Sequence, residues 1–248
     1  MASPKTYVAI PSYRDSELKK TVDDLLNKAS RPQDIIVGCF VTCLEDEKDL
    51  CFPNKHPNVK VVHTTPGNLF SISMCRNIAL SFLTEEISYV LQIDSHMRFE
   101  ECWDDYLIAS LDSIGDPKAV LSGVTPGYRT KNGVEEILTN LNDTMKMLTY
   151  DHPKAKEVFL NAYELVPGMA SGNDKLDYQQ SWYLSGAFVY SYRDFFKEVP
   201  QVDWVYFWGE ELMHSARAFT KGWNCYILRH IPVFHLWRED RDYGGAPV

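Results

Sequence analysis

The chain has 248 residues, 45% of them hydrophobic and 13% aromatic, with a formal net charge of −9. This composition excludes a disordered chain, and the acidic balance leaves no global basic footprint for nucleic acid, although a local basic groove is compatible with it. No apolar run reaches bilayer-spanning length, and Met1-Ala2-Ser3-Pro4-Lys5 leads straight into an apolar run, so the expectation is a cytoplasmic protein with no signal peptide.

Thr6–Ile10 reads as a strand that ends at Pro11-Ser12-Tyr13-Arg14-Asp15. Asp15–Ala29 reads as an amphipathic helix, with Leu18, Val22, Leu25 and Leu26 at helical spacing. Strands are expected at Ile35–Val41 and Asn58–His63, a helix at Ser71–Phe82, a strand at Tyr89–Ile93, a helix at Glu101–Ile114 and a strand at Ala119–Val124. Strands alternating with helices in this way indicate βαβ units and a mainly parallel sheet flanked by helices. Thr125–Gln180 breaks the rhythm. It is polar and rich in Gly, Asn and Asp, with one helix expected around Lys154–Tyr163, and reads as an insertion bordering an acceptor site. Ser181–Tyr192 returns to a strand pattern, Glu210–Lys221 reads as a helix, and Cys225–Trp237 is strand-like around Pro232. Arg238–Val248 is charged and then Gly-rich, a lid or a frayed terminus. The whole is read as one domain in two halves, residues 1–124 and residues 125–248. The six cysteines (39, 43, 51, 75, 102 and 225) contain no C-x-x-C pair. They are expected to be buried free thiols, and no paired spacing supports a zinc site at Cys39, Cys43 and Cys51.

Asp94-Ser95-His96 directly follows the apolar strand Tyr89–Ile93. Residues i and i+2 of a strand share a face, so a carboxylate and an imidazole converge there. Open α/β sheets bind ligands at the carboxyl ends of their strands, which suits a catalytic metal holding a phosphate. The plain alternative is a loop Asp beside a surface His. His235, in the apolar segment Val233–Trp237, is a candidate third ligand, although a lone His there is more often a satisfied core residue. Carboxylate, imidazole and phosphate together suit Mn²⁺ or Mg²⁺ better than structural zinc.

Other candidates surround this pair. The turn Pro11, Ser12, Tyr13, Arg14 and Asp15 can offer backbone N–H groups to an anion or a base edge. Arg14 can bind a phosphate and Asp15 can accept from a sugar or a base; the plain reading is a helix cap and a surface Arg. Arg76 lies near the apolar boundary of its helix, and a partly buried Arg needs a partner, either a nucleotide or Asp94. Phe207-Trp208-Gly209 suits contact with a sugar ring, and Glu210 or Glu211 can hydrogen-bond its hydroxyls, although acids at a helix start are stabilised there in any case. Arg238 can neutralise a diphosphate leaving group.

In this order, these pieces resemble the GT-A glycosyltransferases, most of all the cytoplasmic family that transfers N-acetylglucosamine to hydroxyproline, and more distantly the mucin-type polypeptide N-acetylgalactosaminyltransferases. The matching residues are Ile10–Asp15, Cys75-Arg76-Asn77, Gln92–Phe99 with Trp103-Asp104, Trp208–Glu211, and His235 with Arg238. They span nearly the whole chain. The resemblance implies a Rossmann-like GT-A fold, a UDP-sugar donor, and Asp94, His96 and His235 as metal ligands. It implies Glu210 or Glu211 as the donor-sugar contact; one Gly stands before this Glu pair where the mucin-type pattern has two, so the choice stays open. The lectin domain of some relatives is missing, which bears on the acceptor more than on the donor.

The function expected is transfer of N-acetylglucosamine or a related hexose from a UDP-sugar to a hydroxyl, with retention. The acceptor would be a protein, a glycan, a small molecule or a hydroxymethylated DNA base; Arg129-Thr130-Lys131 could contact phosphates in the last case. The alternatives are a nucleotidyltransferase or nucleotide-sugar hydrolase, against which Pro-Ser-Tyr-Arg stands where a Gly/Lys-rich loop belongs, and a non-catalytic sugar-binding protein.

Overall fold

A computed structural model describes residues 3–67, 70–131, 133–138, 177–206 and 209–236, with the backbone alone of 146–148 and 165–167. The elements are β1 (Lys5–Tyr13), α1 (Glu17–Lys28), β2 (Ile35–Thr42), α2 (Lys48–Cys51), β3 (Val59–Thr64), α3 (Ile72–Ala79), β4 (Ile87–Ile93), β5 (Met97–Phe99) and α4 (Trp103–Ile114). They continue as β6 (Ala119–Ser122), β7 (Gly127–Lys131), β8 (Val134–Leu138), β9 (Lys146–Leu148), β10 (Leu165–Pro167), β11 (Tyr178–Ser181) and β12 (Phe188–Tyr192). The last are α5 (Arg193–Glu198), α6 (Glu210–Thr220), β13 (Asn224–Leu228) and β14 (Val233–Leu236).

The main sheet has eight strands in the order β11-β13-β6-β12-β4-β1-β2-β3. β4, β1, β2 and β3 run parallel, and β12 inserts antiparallel between β4 and β6. Strand alternation sorts the core. Val8 and Ile10 of β1 pack with Leu18, Val22, Trp103 and Leu107 of α1 and α4 on one face. Tyr7 and Ala9 join Ala79, Phe195 and Ala218 of α3, α5 and α6 on the other. Gly38 is required where the layers meet. A Cβ there would lie 1.7 Å from the Tyr7 hydroxyl, which donates to the Ala79 carbonyl at 2.5 Å and ties α3 to the sheet.

The predicted alternation holds up to β6, with shifted ends. β1 runs on to Tyr13, so Pro11 and Ser12 lie in the strand, opposite Phe40 and Val41, and not in a loop after it. Helix α1 starts at Glu17 and α3 stops at Ala79. Cys225–Trp237 splits into β13 and β14, which belong to different sheets. The described part of the insertion is not irregular. β7 and β8 form a hairpin in a second, four-stranded sheet of order β5-β14-β7-β8. β9 pairs with β10, and β11 closes one edge of the main sheet. The expected helix at Lys154–Tyr163 and the tail lie outside the described residues. All six cysteines are free, but Cys102 is exposed and Cys75 only partly covered, so the burial expectation holds for the other four. Among the described residues no helix is long and apolar enough to cross a membrane.

Candidate active site

Asp94 and His96 sit in the turn from β4 to β5, at the carboxyl edge of the parallel strands. His235 reaches them from far along the chain because β14 pairs with β5, with His235 opposite Met97. The Leu236 N–H donates to the His96 carbonyl at 3.1 Å and the His235 N–H to the Pro126 carbonyl at 2.9 Å. His96 Nε2 lies 3.1 Å from His235 Nε2, and His235 Nε2 lies 3.4 Å from Asp94 Oδ2. One ligand atom from each of the three residues falls within 4.8 Å of the others. Burial alone would raise the Asp94 carboxyl, but the hydrogen bond from His235 and the charge of Arg76 hold it well below the usual carboxylate range. The cluster is therefore an ionised carboxylate with two imidazoles, a donor set that fits a divalent transition metal. With Asp94 and His96 side chains 24% and 23% exposed, a ligand can reach it.

Arg76 lies under this cluster. It is 4% exposed, with Nη1 2.8 Å from Glu210 Oε1 and Nη2 3.7 Å from Asp94 Oδ1. Of the two partners expected from sequence, a nucleotide or Asp94, the geometry supplies Asp94 and adds Glu210. One guanidinium thus faces two carboxylates, with Glu211 close by. Burial and the charge of Glu211 push the Glu210 carboxyl up to about 7 against the pull of Arg76. The adjacent acids on α6 diverge. Glu210 turns to Arg76, while Glu211 accepts from the Tyr183 hydroxyl at 2.7 Å and the Gly186 N–H at 2.5 Å.

The β1–α1 turn contributes differently from the expectation. Arg14 has a left-handed backbone, φ 47, and its guanidinium pairs with Glu47 at 2.5 Å. Asp15 is buried, accepts the Glu17 N–H at 3.0 Å just before α1, and lies 2.8 Å from His96 Nδ1. Pro11 and Ser12 are buried and Tyr13 is 59% exposed. The structure thus gathers Asp15, Arg76, Asp94, His96, Glu210 and His235 into one linked group, with Glu211 next to it. Trp208 and Arg238 lie outside the described residues. Trp103 and Asp104, part of the matching motif, do structural work: Trp103 Nε1 donates to the Leu25 carbonyl, and Asp104 accepts the N–H groups of Ser30 and Arg31.

Sequence reasoning gave no role to Gln92, which it named only within a matching block, and missed Gly186 and Gln201. Gln92, fully buried in β4, donates to the Gly186 carbonyl at 3.1 Å and accepts from Gln201 at 2.7 Å. A lone Gln inside an apolar run is a usable signal, since a buried amide needs partners. Gly186 carries none, because its role depends on Arg76 lying against it.

Residues 41–242 match the family model described as Glycosyltransferase (GlcNAc). The structure of GalNAc-T7 with UDP, GalNAc and Mn²⁺ superposes with a TM-score of 0.65 at 16% identity, covering 98% of this chain and 45% of that one. S. aureus TarS 1–349 gives 0.56 at 15% identity, covering 94% of this chain and 60% of the other. The same protein in complex with UDP-GlcNAc gives 0.56 at 17%, covering 98% and 62%. This chain therefore spans 45–62% of the length of these structures. No curated protein sequence matches it. The chain belongs to the GlcNAc glycosyltransferase family, and its fold is the mixed α/β fold of GT-A enzymes.

Proposed function

We propose that this glycosyltransferase moves N-acetylglucosamine, or a related hexose, from a UDP-sugar to a hydroxyl acceptor, with Asp94, His96 and His235 holding a divalent cation, Mn²⁺ or Mg²⁺. The observation that carries this reading is the convergence of those three side chains, from two separate sheets, at the carboxyl edge of the parallel strands. A solved neighbour holds UDP, GalNAc and Mn²⁺, and another holds UDP-GlcNAc. When bound, the cation would supply positive charge to the leaving diphosphate.

The chain's own residues account for the rest. Asp94 stays ionised, so a ligand that is already charged is offered to the cation without loss of a proton. Arg76 holds Asp94 from below. Glu211 is positioned by hydrogen bonds from Tyr183 and Gly186 and is assigned the donor-sugar contact. Glu210, near 7, can carry a proton under working conditions. Trp208 is assigned to the donor sugar by family resemblance, and Arg238 to the diphosphate by its charge and its place three residues after His235. In transfer, the bond from the anomeric carbon to the acceptor oxygen forms as the bond to the diphosphate oxygen breaks. With retention the acceptor proton passes to the leaving phosphate, and no protein base is needed. With inversion a Glu takes it.

The acceptor is a protein hydroxyl or a hydroxymethylated DNA base, and the catalytic domain works in the cytoplasm. The test is release of nucleotide diphosphate from a panel of nucleotide-sugars with Mn²⁺, Mg²⁺ or EDTA. Release from one donor, lost with EDTA and in Asp94→Ala, is the expected result. Release unaffected by EDTA and by Asp94→Ala would overturn the metal role, and no release from any donor would overturn the activity.

A further inference from the structure

We infer that Asp15 is the positioning residue of the cation site: it holds His96 in the tautomer and orientation that turn Nε2 toward the cation. The inference rests on the metal reading given above. Asp15 is 5% exposed, and both of its oxygens are used inside the protein. Oδ1 accepts the Glu17 N–H at 3.0 Å. Oδ2 accepts from the Ser95 hydroxyl at 2.8 Å and lies 2.8 Å from His96 Nδ1. At the far side of the same ring, His96 Nε2 faces His235 Nε2 at 3.1 Å. The imidazole is thus spanned from end to end, a buried carboxylate on one nitrogen and the ligand cluster on the other.

The chemistry follows from this placement. A carboxylate at Nδ1 demands the Nδ1–H tautomer, which leaves the lone pair on Nε2, the atom the cation needs. It also raises the basicity of that lone pair and fixes the ring plane. The carboxylate is itself held rigidly. The turn carrying it is set by the left-handed Arg14, and α1 grips the ligand turn a second time, through Thr21. Its Oγ1 donates to the Ser95 carbonyl at 2.8 Å and accepts the Met97 N–H at 2.9 Å.

The experiment measures Mn²⁺ affinity by electron paramagnetic resonance, together with ¹⁵N spectra of His96 in metal-free protein. In the wild type, at a pH where the ring is neutral, His96 should show a protonated Nδ1 and a bare Nε2. Asp15→Ala should weaken Mn²⁺ binding about 10- to 100-fold, the usual effect of removing such a partner. Asp15→Asn, nearly isosteric, should weaken it as well and shift the ring toward the Nε2–H tautomer, because its NH₂ seeks an acceptor at Nδ1. A wild-type His96 found as the Nε2–H tautomer would overturn the inference even if neither variant folds. Variants that fold and bind Mn²⁺ within about twofold of wild type, against the 10- to 100-fold loss expected, would also overturn it while leaving the metal reading intact. Failure of the wild type to bind Mn²⁺ would instead remove the metal reading itself.

Discussion

Gly186→Ala tests how tightly the site is built. A Cβ at this position would lie 2.3 Å from Arg76 Nη2, 2.7 Å from Nη1 and 2.8 Å from Cζ. Ordinary contact begins near 3.4 Å, so the guanidinium must retreat by about 1 Å. Arg76 is 4% exposed and packed on all sides. A shift of that size carries Nη1 out of its 2.8 Å contact with Glu210 and further from Asp94. Overpacking a core costs about 1–3 kcal/mol, and separating a buried ion pair costs up to about 3–5 kcal/mol. These overlap in one movement, so the expected loss of stability is about 2–4 kcal/mol. The Gly186 backbone is not left-handed, so strain of the main chain does not contribute. Urea unfolding reads the stability, and nucleotide diphosphate release reads the site. Arg76→Ala removes the obstructed group, so in the double variant the Gly186 substitution should add little. That non-additivity is the signature of direct contact. Wild-type stability and turnover in Gly186→Ala, or fully additive losses in the double variant, would refute the reasoning.

Further outcomes are expected. His235→Ala and His96→Ala should each abolish metal-stimulated donor turnover and lower Mn²⁺ affinity, measured by calorimetric titration, while far-ultraviolet dichroism stays unchanged. Two buried groups should oppose each other in the pH dependence of stability. Glu210 is raised to about 7, so the folded state holds a proton that the unfolded state has lost, and stability falls as pH rises from about 4.5 to 7. His214, lowered by burial to about 4, does the reverse: its stabilisation is present above about 6.5 and is lost as pH falls toward 4. Glu210→Gln should therefore unmask a rise in stability with pH between about 4.5 and 6.5, and an unchanged profile would contradict the assignment. Arg98 is 3% exposed and pairs with Glu17 and Glu135 at 2.5 Å each, with the Tyr128 ring 4.8 Å away. Arg98→Ala should cost about 2–4 kcal/mol, less than a fully buried pair because Glu135 is partly exposed, and should speed amide exchange first in β7 and β8. Uniform exchange across the molecule would argue that the hairpin is held by other contacts.

The Asp94–His96 pair is legible from the sequence alone, because an apolar strand followed by acid-x-His marks where a strand presents its end; strand alternation does not join them, since both lie in the turn beyond β4. The βα alternation up to β6 is legible as well: each amphipathic helix and apolar strand declares itself within a dozen residues. Sequence reading fails where a neighbour decides. Pro11–Tyr13 has the composition of a turn, yet pairing with β2 as far as Tyr13 opposite Thr42 keeps it a strand. The short β5 and α5 give no sequence signal, since each is too brief to show a period of its own.

Local pattern alone therefore determined the fold class, the family resemblance and the candidate residues Asp94, His96 and His235. Tertiary structure decided that the three meet, and which groups support them. His235 lies 139 residues from His96 and joins it only because β14 pairs with β5. Arg76 meets Glu210 because α3 and α6 cover the same face of the sheet, and Asp15 turns inward because a ring nitrogen and a hydroxyl from another loop are there to meet it. A side chain's own sequence neighbourhood carries its periodicity and its polarity. Which charge lies against it is set by the packing of distant elements, and in this site that packing assigns nearly every carboxylate its partner.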